Sequence, residues 1–136
     1  MEIKIPDIQA QQKFIFEEAT KEAIAALEAN LKAPRIEPQS EIDESQYSNK
    51  HLLREKQGWE PPSPDIVAAY FRHFQKHFPE FDTDQKLADL LGISSNRRIR
   101  EFKSGEAKVP YGVWRRFLVL TGRAPQEIIP VMAFMG

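Results

Sequence analysis

The chain has 136 residues, 41% hydrophobic and 29% charged, with ten prolines, six glycines and a formal net charge of -1, the make-up of a soluble folded protein with one core and several firm breaks. The absence of cysteine excludes a disulfide framework, a thiolate metal site and a cysteine nucleophile. No apolar run approaches the roughly 20 residues that cross a bilayer, and MEIKIPDIQAQQ lacks the apolar centre of a signal peptide, so a cytoplasmic protein with no membrane partner is expected.

Residues 2–5, EIKI, alternate polar and apolar as a short strand would. From Ile8 to Ala33 the residues Ile15, Ala19, Ala23, Leu27 and Leu31 recur every four positions, with Phe16, Ile24 and Ala26 beside them. This predicts an amphipathic helix that Pro34 ends by pushing Ala33 out of helical geometry. Its apolar stripe needs a partner surface. It can dimerise, hold a second protein, or fold back on the chain's own core.

Residues 34–64 are Pro-rich and polar and read as a linker, with NKHLLREKQ able to form a short turn of helix and Trp59 as a single anchor onto the core. Pro64 and Asp65 open a helix whose inward face is Ile66, Tyr70, Phe74 and Phe78 with Val67 and Phe71, closed by Pro79. Asp82 with Gln85 forms a capping box for TDQKLADLL. Gly92 closes that helix, and Ser94 or Ser95 caps the next, whose inward residues are Ile99 and Phe102 and whose stop is Gly105. Pro110 opens PYGVWRRFLVLTG, with Trp114, Phe117, Leu118 and Thr121 on one face, and Pro125 begins a last short element, PQEIIPVMAF, broken by Pro130. Residues 1–33, 34–64 and 65–136 are thus expected as N-terminal helix, linker and main domain.

The small net charge conceals a segregation. Residues 1–64 carry a net of -4, residues 65–93 a net of -2, and residues 94–123 a net of +6, from Arg97, Arg98, Arg100, Lys103, Lys108, Arg115, Arg116 and Arg123 against Glu101 and Glu106. Such a concentration is the footprint of a polyanion partner, because neutralised phosphates release condensed counterions. A solvated basic face is the plainer reading.

Two short helices joined by a Gly-containing turn, the second with a basic outer face, make a helix-turn-helix pattern. Residues 65–130, most clearly QKLADLLGIS, IREFKSGEAKVP and WRRFLVLTG, resemble the lambda repressor/Cro-like (XRE-type) helix-turn-helix family. The landmarks are Leu87 and Ala88, Gly92-Ile93-Ser94 at the turn, Ile99 and Phe102, Gly105 and Pro110. The resemblance implies an all-α, five-helix domain that binds double-stranded DNA as a transcriptional regulator, commonly a repressor, acting as a homodimer on half-sites about one helical turn apart. Two positions depart from the pattern. The stretch from Gly92 to Ile99 is one residue longer than the commonest spacing, and Asp84 stands where many members carry a phosphate-clamping glutamine, with Gln85 next door as a substitute.

In register with Ile99, the resemblance places Asn96, Arg97 and Glu101 at base edges, with Ser104 and Lys108 near phosphates. Arg97, Arg100, Glu101 and Ser104 share one helical face on spacing alone. Arginine can grip guanine bidentately, asparagine suits adenine, and glutamate accepts from cytosine N4. Arg98, Arg100, Lys103 and Lys108 suit phosphates, and Gln85, Ser95 and Ser104 complete the expected backbone contacts. Without DNA, Arg97 and Glu101 read as an ordinary i, i+4 ion pair.

His73 and His77 have metal-gripping spacing, but Pro79 interrupts the helix before Glu80 and Asp82, so neither a metal nor a cofactor is expected. No catalytic motif is present, and the chain is not expected to be an enzyme. Two other readings stay open: a protein-interaction module that uses the acidic residues 1–64, and a structured-RNA binder.

Overall fold

The structure, a computed structural model, describes residues 7–136; the strand-like alternation of residues 2–5 lies outside them. Among the described residues the architecture is all-α: five helices, α1 (Ile8–Asn30), α2 (Pro64–His77), α3 (Asp84–Leu91), α4 (Asn96–Ser104) and α5 (Tyr111–Leu120), and no strand. The chain divides into two units, one of residues up to 37 with 129–136 and one of residues 38–128.

In the first unit Asp7 caps α1, its carboxylate accepting from the Ala10 amide at 2.7 Å. The helix ends at Asn30, three residues short of the predicted Ala33, and no residue of it is buried. Phe16 meets Phe134 of the C-terminal segment edge to face, ring centres 4.9 Å apart. No described helix is long and apolar enough to cross a membrane.

The second unit is organised around α2. Ser63 caps it, Pro64 occupies its first turn, and Lys76 and His77 sit in its last turn, each where the helix dipole favours it. Its inward residues Ile66, Val67, Tyr70, Phe71 and Phe74 are buried with Leu87, Leu91, Ile99, Phe102, Val109, Trp114, Phe117 and Leu118 in one core. Phe78, predicted on the same face, is half-buried. Thr83 caps α3 in place of the predicted Asp82, accepting from the Lys86 amide. Gly105 ends α4 at φ 87°, and a Cβ added there would stand 2.8 Å from Pro64 Cγ. Gly105→Ala therefore combines left-handed strain with a clash, and is expected to cost about 1–3 kcal/mol, read as a lower thermal midpoint by far-UV circular dichroism.

The structure differs from the sequence expectation in two further and larger respects. PQEIIPVMAF was to supply the fifth helix of the 65–136 domain, yet residues 125–136 form none. Pro125 and Pro130, five positions apart, remove two amide donors and leave too short a run between them for a helix to propagate. Residues 34–64, expected as a linker, also behave differently. From Pro38 onward they belong to the second unit, running through three short 3-10 turns at Glu44–Gln46, Lys50–Leu52 and Glu55–Gln57. Ile42, Tyr47 and Trp59 pack against the core and His51 is buried in it.

Polar bonds fasten this segment. Trp114 donates its indole N–H to His51 Nδ1 at 3.2 Å, and Trp59 donates to the His51 carbonyl at 3.1 Å, the anchoring role expected of it. Arg72 grips Glu41 with two bonds of 2.8 and 2.9 Å. The Tyr70 hydroxyl bonds to Glu44, and that of Tyr47 donates to Asp65 at 2.8 Å.

His51 must be neutral to accept from Trp114. Its pKa lies below the ordinary 6.5, chiefly through burial, with Glu44 opposing and Arg123 adding to the shift. As pH falls below 6.5, unfolded His51 gains a proton and folded His51 does not. Stability should thus be level above that pH and decline below it by up to about 1.4 kcal/mol per pH unit. Glu44 titrates in a separate window. Burial raises its pKa, but bonds from Tyr70 and Gln39 and the charge of Arg123 bring it below 4.5, so its contribution is lost only as pH falls through that more acidic range. Urea midpoints on either side of pH 6.5, compared with those of His51→Gln, check the first window.

Candidate nucleic-acid interface

Leu87, Ala88 and Leu91 of α3 and Ile99 and Phe102 of α4 are buried in the common core, which holds the two helices against each other and turns the rest of α4 outward. Gly92, at φ 73°, closes α3 and starts the turn. The extra residue in that turn is absorbed before the helix: α4 starts at Asn96, and Ser95 Oγ caps it by accepting from the Arg97 amide at 3.1 Å.

Asn96, Arg97, Arg98 and Arg100 are exposed on α4, with Ser104 and Lys108 exposed at and beyond its end. Glu101 is sunk between two arginines, with Arg97 at 2.9 Å and Arg98 at 3.3 Å, and its side chain is 17% exposed against 78% for Arg97. The i, i+4 ion pair that spacing alone suggested is therefore formed. Arg98 also lies over the Phe102 ring, 5.9 Å from its centre.

The expected phosphate contacts have internal partners too. Lys103 is half-buried and pairs with Asp84 of α3 at 2.9 Å. Gln85 donates to Asp89 at 3.0 Å, and Ser104 donates to the Glu101 carbonyl at 3.2 Å.

Two cations counted in the basic stretch are drawn into the fold. Arg115 is buried, donates to the carbonyls of Pro125 at 2.9 Å and Leu52 at 3.5 Å, and lies 3.5 Å from Glu127. Arg123 stacks over the Tyr70 ring at 3.9 Å, with its pKa lowered by burial against the opposing influence of Tyr70 and Glu44. Tyr70 in turn is pushed up, by burial first and then by its bond to Glu44. Periodicity places Arg115 on a helix and leaves Arg123 just beyond its end; it carries no sign that distant carbonyls and a tyrosine ring will claim them.

The surface that remains is a short helix with exposed Asn96, Arg97, Arg98 and Arg100, followed by exposed Lys108; Arg116 of α5 is exposed as well. Chemically it offers bidentate donors, one amide and one carboxylate at helical spacing, the groups that read base edges. His73 and His77 lie ring to ring, centres 4.8 Å apart, and no group of three or more His, Asp or Glu able to hold a metal occurs among the described residues. No protein-family model matches the chain, nor does any curated protein or solved structure.

Proposed function

We propose that the chain is a sequence-specific double-stranded DNA-binding transcriptional regulator, a repressor in its simplest form, acting in the cytoplasm through a lambda repressor/Cro-like helix-turn-helix. In this reading α4 enters the major groove, with Asn96, Arg97 and Glu101 at base edges. Arg98, Arg100 and Lys108 hold phosphates, joined by Gln85, Ser95, Lys103 and Ser104 where their internal bonds yield. The observation that supports it is the pairing of α3 with α4 across the Gly92 turn, which buries Ile99 and Phe102 and leaves the arginine face outward. An α-helix fits the major groove, and exposed arginine is the commonest specific reader there.

A second reading draws on the ion pairs. Glu101 and Asp84 already engage Arg97, Arg98 and Lys103, which gives the face a mixed charge suited to a protein partner. Selection from a randomised duplex-DNA library at near-physiological salt, with an Arg97→Ala/Arg98→Ala variant in parallel, separates the two. The DNA reading expects an enriched two-fold motif that the variant loses. If binding is only weak, salt-sensitive and common to both proteins, that reading fails and the protein or structured-RNA alternatives take its place.

A further inference from the structure

The exposed apolar side chains of this protein are unevenly distributed. Among the described residues sixteen large hydrophobic side chains are left exposed, and of these only Leu52, Leu120 and Ile128 belong to the 38–128 unit. The other thirteen lie in the first unit, among them Ile8, Phe14, Ile15, Ile24 and Leu31 on or at the end of α1 and Met132 and Met135 in the C-terminal segment. Together they present on the order of 1,500 Å² of apolar surface, where a monomer leaves a few hundred contiguous and each partner of a standard interface buries roughly 800. An area of that order is comparable with what a dimer interface buries.

The charges of α1 indicate which partner fits. Lys13, Glu17, Lys21 and Glu28 follow at intervals of four, four and seven, and so line one edge of the helix beside its apolar stripe. Their order is plus, minus, plus, minus. Turned end for end, the same helix presents minus, plus, minus, plus, so a second copy lying antiparallel brings Glu28 near Lys13 and Lys21 near Glu17. With Ile8 opposite Leu31 and Ile15 opposite Ile24, the two-fold axis falls between Ala19 and Thr20, where small side chains let the backbones approach, and the charge pairs lie within one or two positions of direct opposition. Residues 7–37 hold six acidic and four basic side chains, too near balance for two copies to repel strongly.

We infer that α1 is a homodimer interface, pairing antiparallel with α1 of a second copy, with the 129–136 segment adding apolar cover. The inference deepens the DNA reading by naming what joins two half-site readers, and it is tested without DNA, so either can fail alone. Because the native chain has no cysteine, single cysteines report on register without background. In the full chain under mild oxidation, Ala19→Cys is expected to link to itself. Ile8→Cys should not, but should link when mixed with Leu31→Cys. By sedimentation the native protein should be dimeric at micromolar concentration, and Ile15→Glu/Ile24→Glu monomeric with an unchanged thermal transition of the 38–128 unit. A monomeric native protein overturns the inference; so does a dimer that survives the double variant, or self-linking of Ile8→Cys in place of Ala19→Cys.

Discussion

Trp114→Ala is expected to abolish the cooperative unfolding transition of the 38–128 unit near room temperature, or to lower its thermal midpoint by about 15 °C or more. The indole is fully buried. It stacks on Tyr70 at 5.8 Å and on Phe117 at 5.4 Å, and contacts Phe71 at 6.1 Å. Truncating such a residue removes transfer energy and leaves a cavity, together about 3–5 kcal/mol, a large share of the roughly 5–15 kcal/mol that holds a domain. The loss reaches beyond the helices, because the same ring carries the hydrogen bond to His51. Trp114→Phe keeps most of the stack and leaves His51 without its donor, so it should cost a smaller amount, about 1–3 kcal/mol. Urea titration followed by far-UV circular dichroism distinguishes the two, and equal effects would show that the stack contributes little.

The second large effect belongs to Arg97. Under the DNA reading proposed above, Arg97→Ala should weaken binding to the selected site about 10- to 100-fold, the worth of one bidentate base contact, while binding to unrelated duplex changes by a small factor. Glu101→Gln should act in the opposite sense on unrelated duplex. It releases Arg97 and Arg98 from a carboxylate that holds both within 3.3 Å, so under that same reading general affinity should rise and discrimination at the base placed against Glu101 should fall. The ion pairs also limit the salt response. With Lys103, Arg115 and Arg123 engaged inside the fold, Arg97, Arg98, Arg100, Lys108 and Arg116 remain. Log affinity should therefore fall with log salt at a slope no steeper than about -4.5 per copy. Asp84→Asn, by freeing Lys103, should steepen that slope by about one. Filter binding or fluorescence anisotropy across a salt series measures both, and a slope well beyond -4.5 would mean that the internal pairs open on DNA.

The helices were legible in the sequence because their punctuation is local. Pro64, Pro79, Gly92, Gly105 and Pro110 each act on the residues beside them, and the stripes of α2 and α5 repeat often enough to define a face. Residues 38–62 lacked both signals. Their anchors Ile42, Tyr47, His51 and Trp59 are spaced without helical or strand period, so a segment that packs reads as one that only connects. Positive charge was legible as a total for residues 94–123 and not as a surface, since whether Lys103 or Arg123 faces solvent is decided by Asp84 and Tyr70, far away in the chain. The turn before α4 stood between these cases: its extra residue was countable, and Ser95 was one of two caps that the sequence offered.

The bond between His51 and Trp114 joins residues 63 positions apart, and that separation governs the order in which the molecule can be built. During synthesis the 38–62 segment precedes every long helix of this unit; α2, emerging next, brings its partners Asp65, Tyr70 and Arg72, but His51 has no donor until Trp114 follows. Contacts of such long range are slow to close, so the three central helices would emerge while their most aromatic face is still bare. The aromatic core of this unit therefore stays open until α5 appears, and the unit's own last helix secures its earliest part.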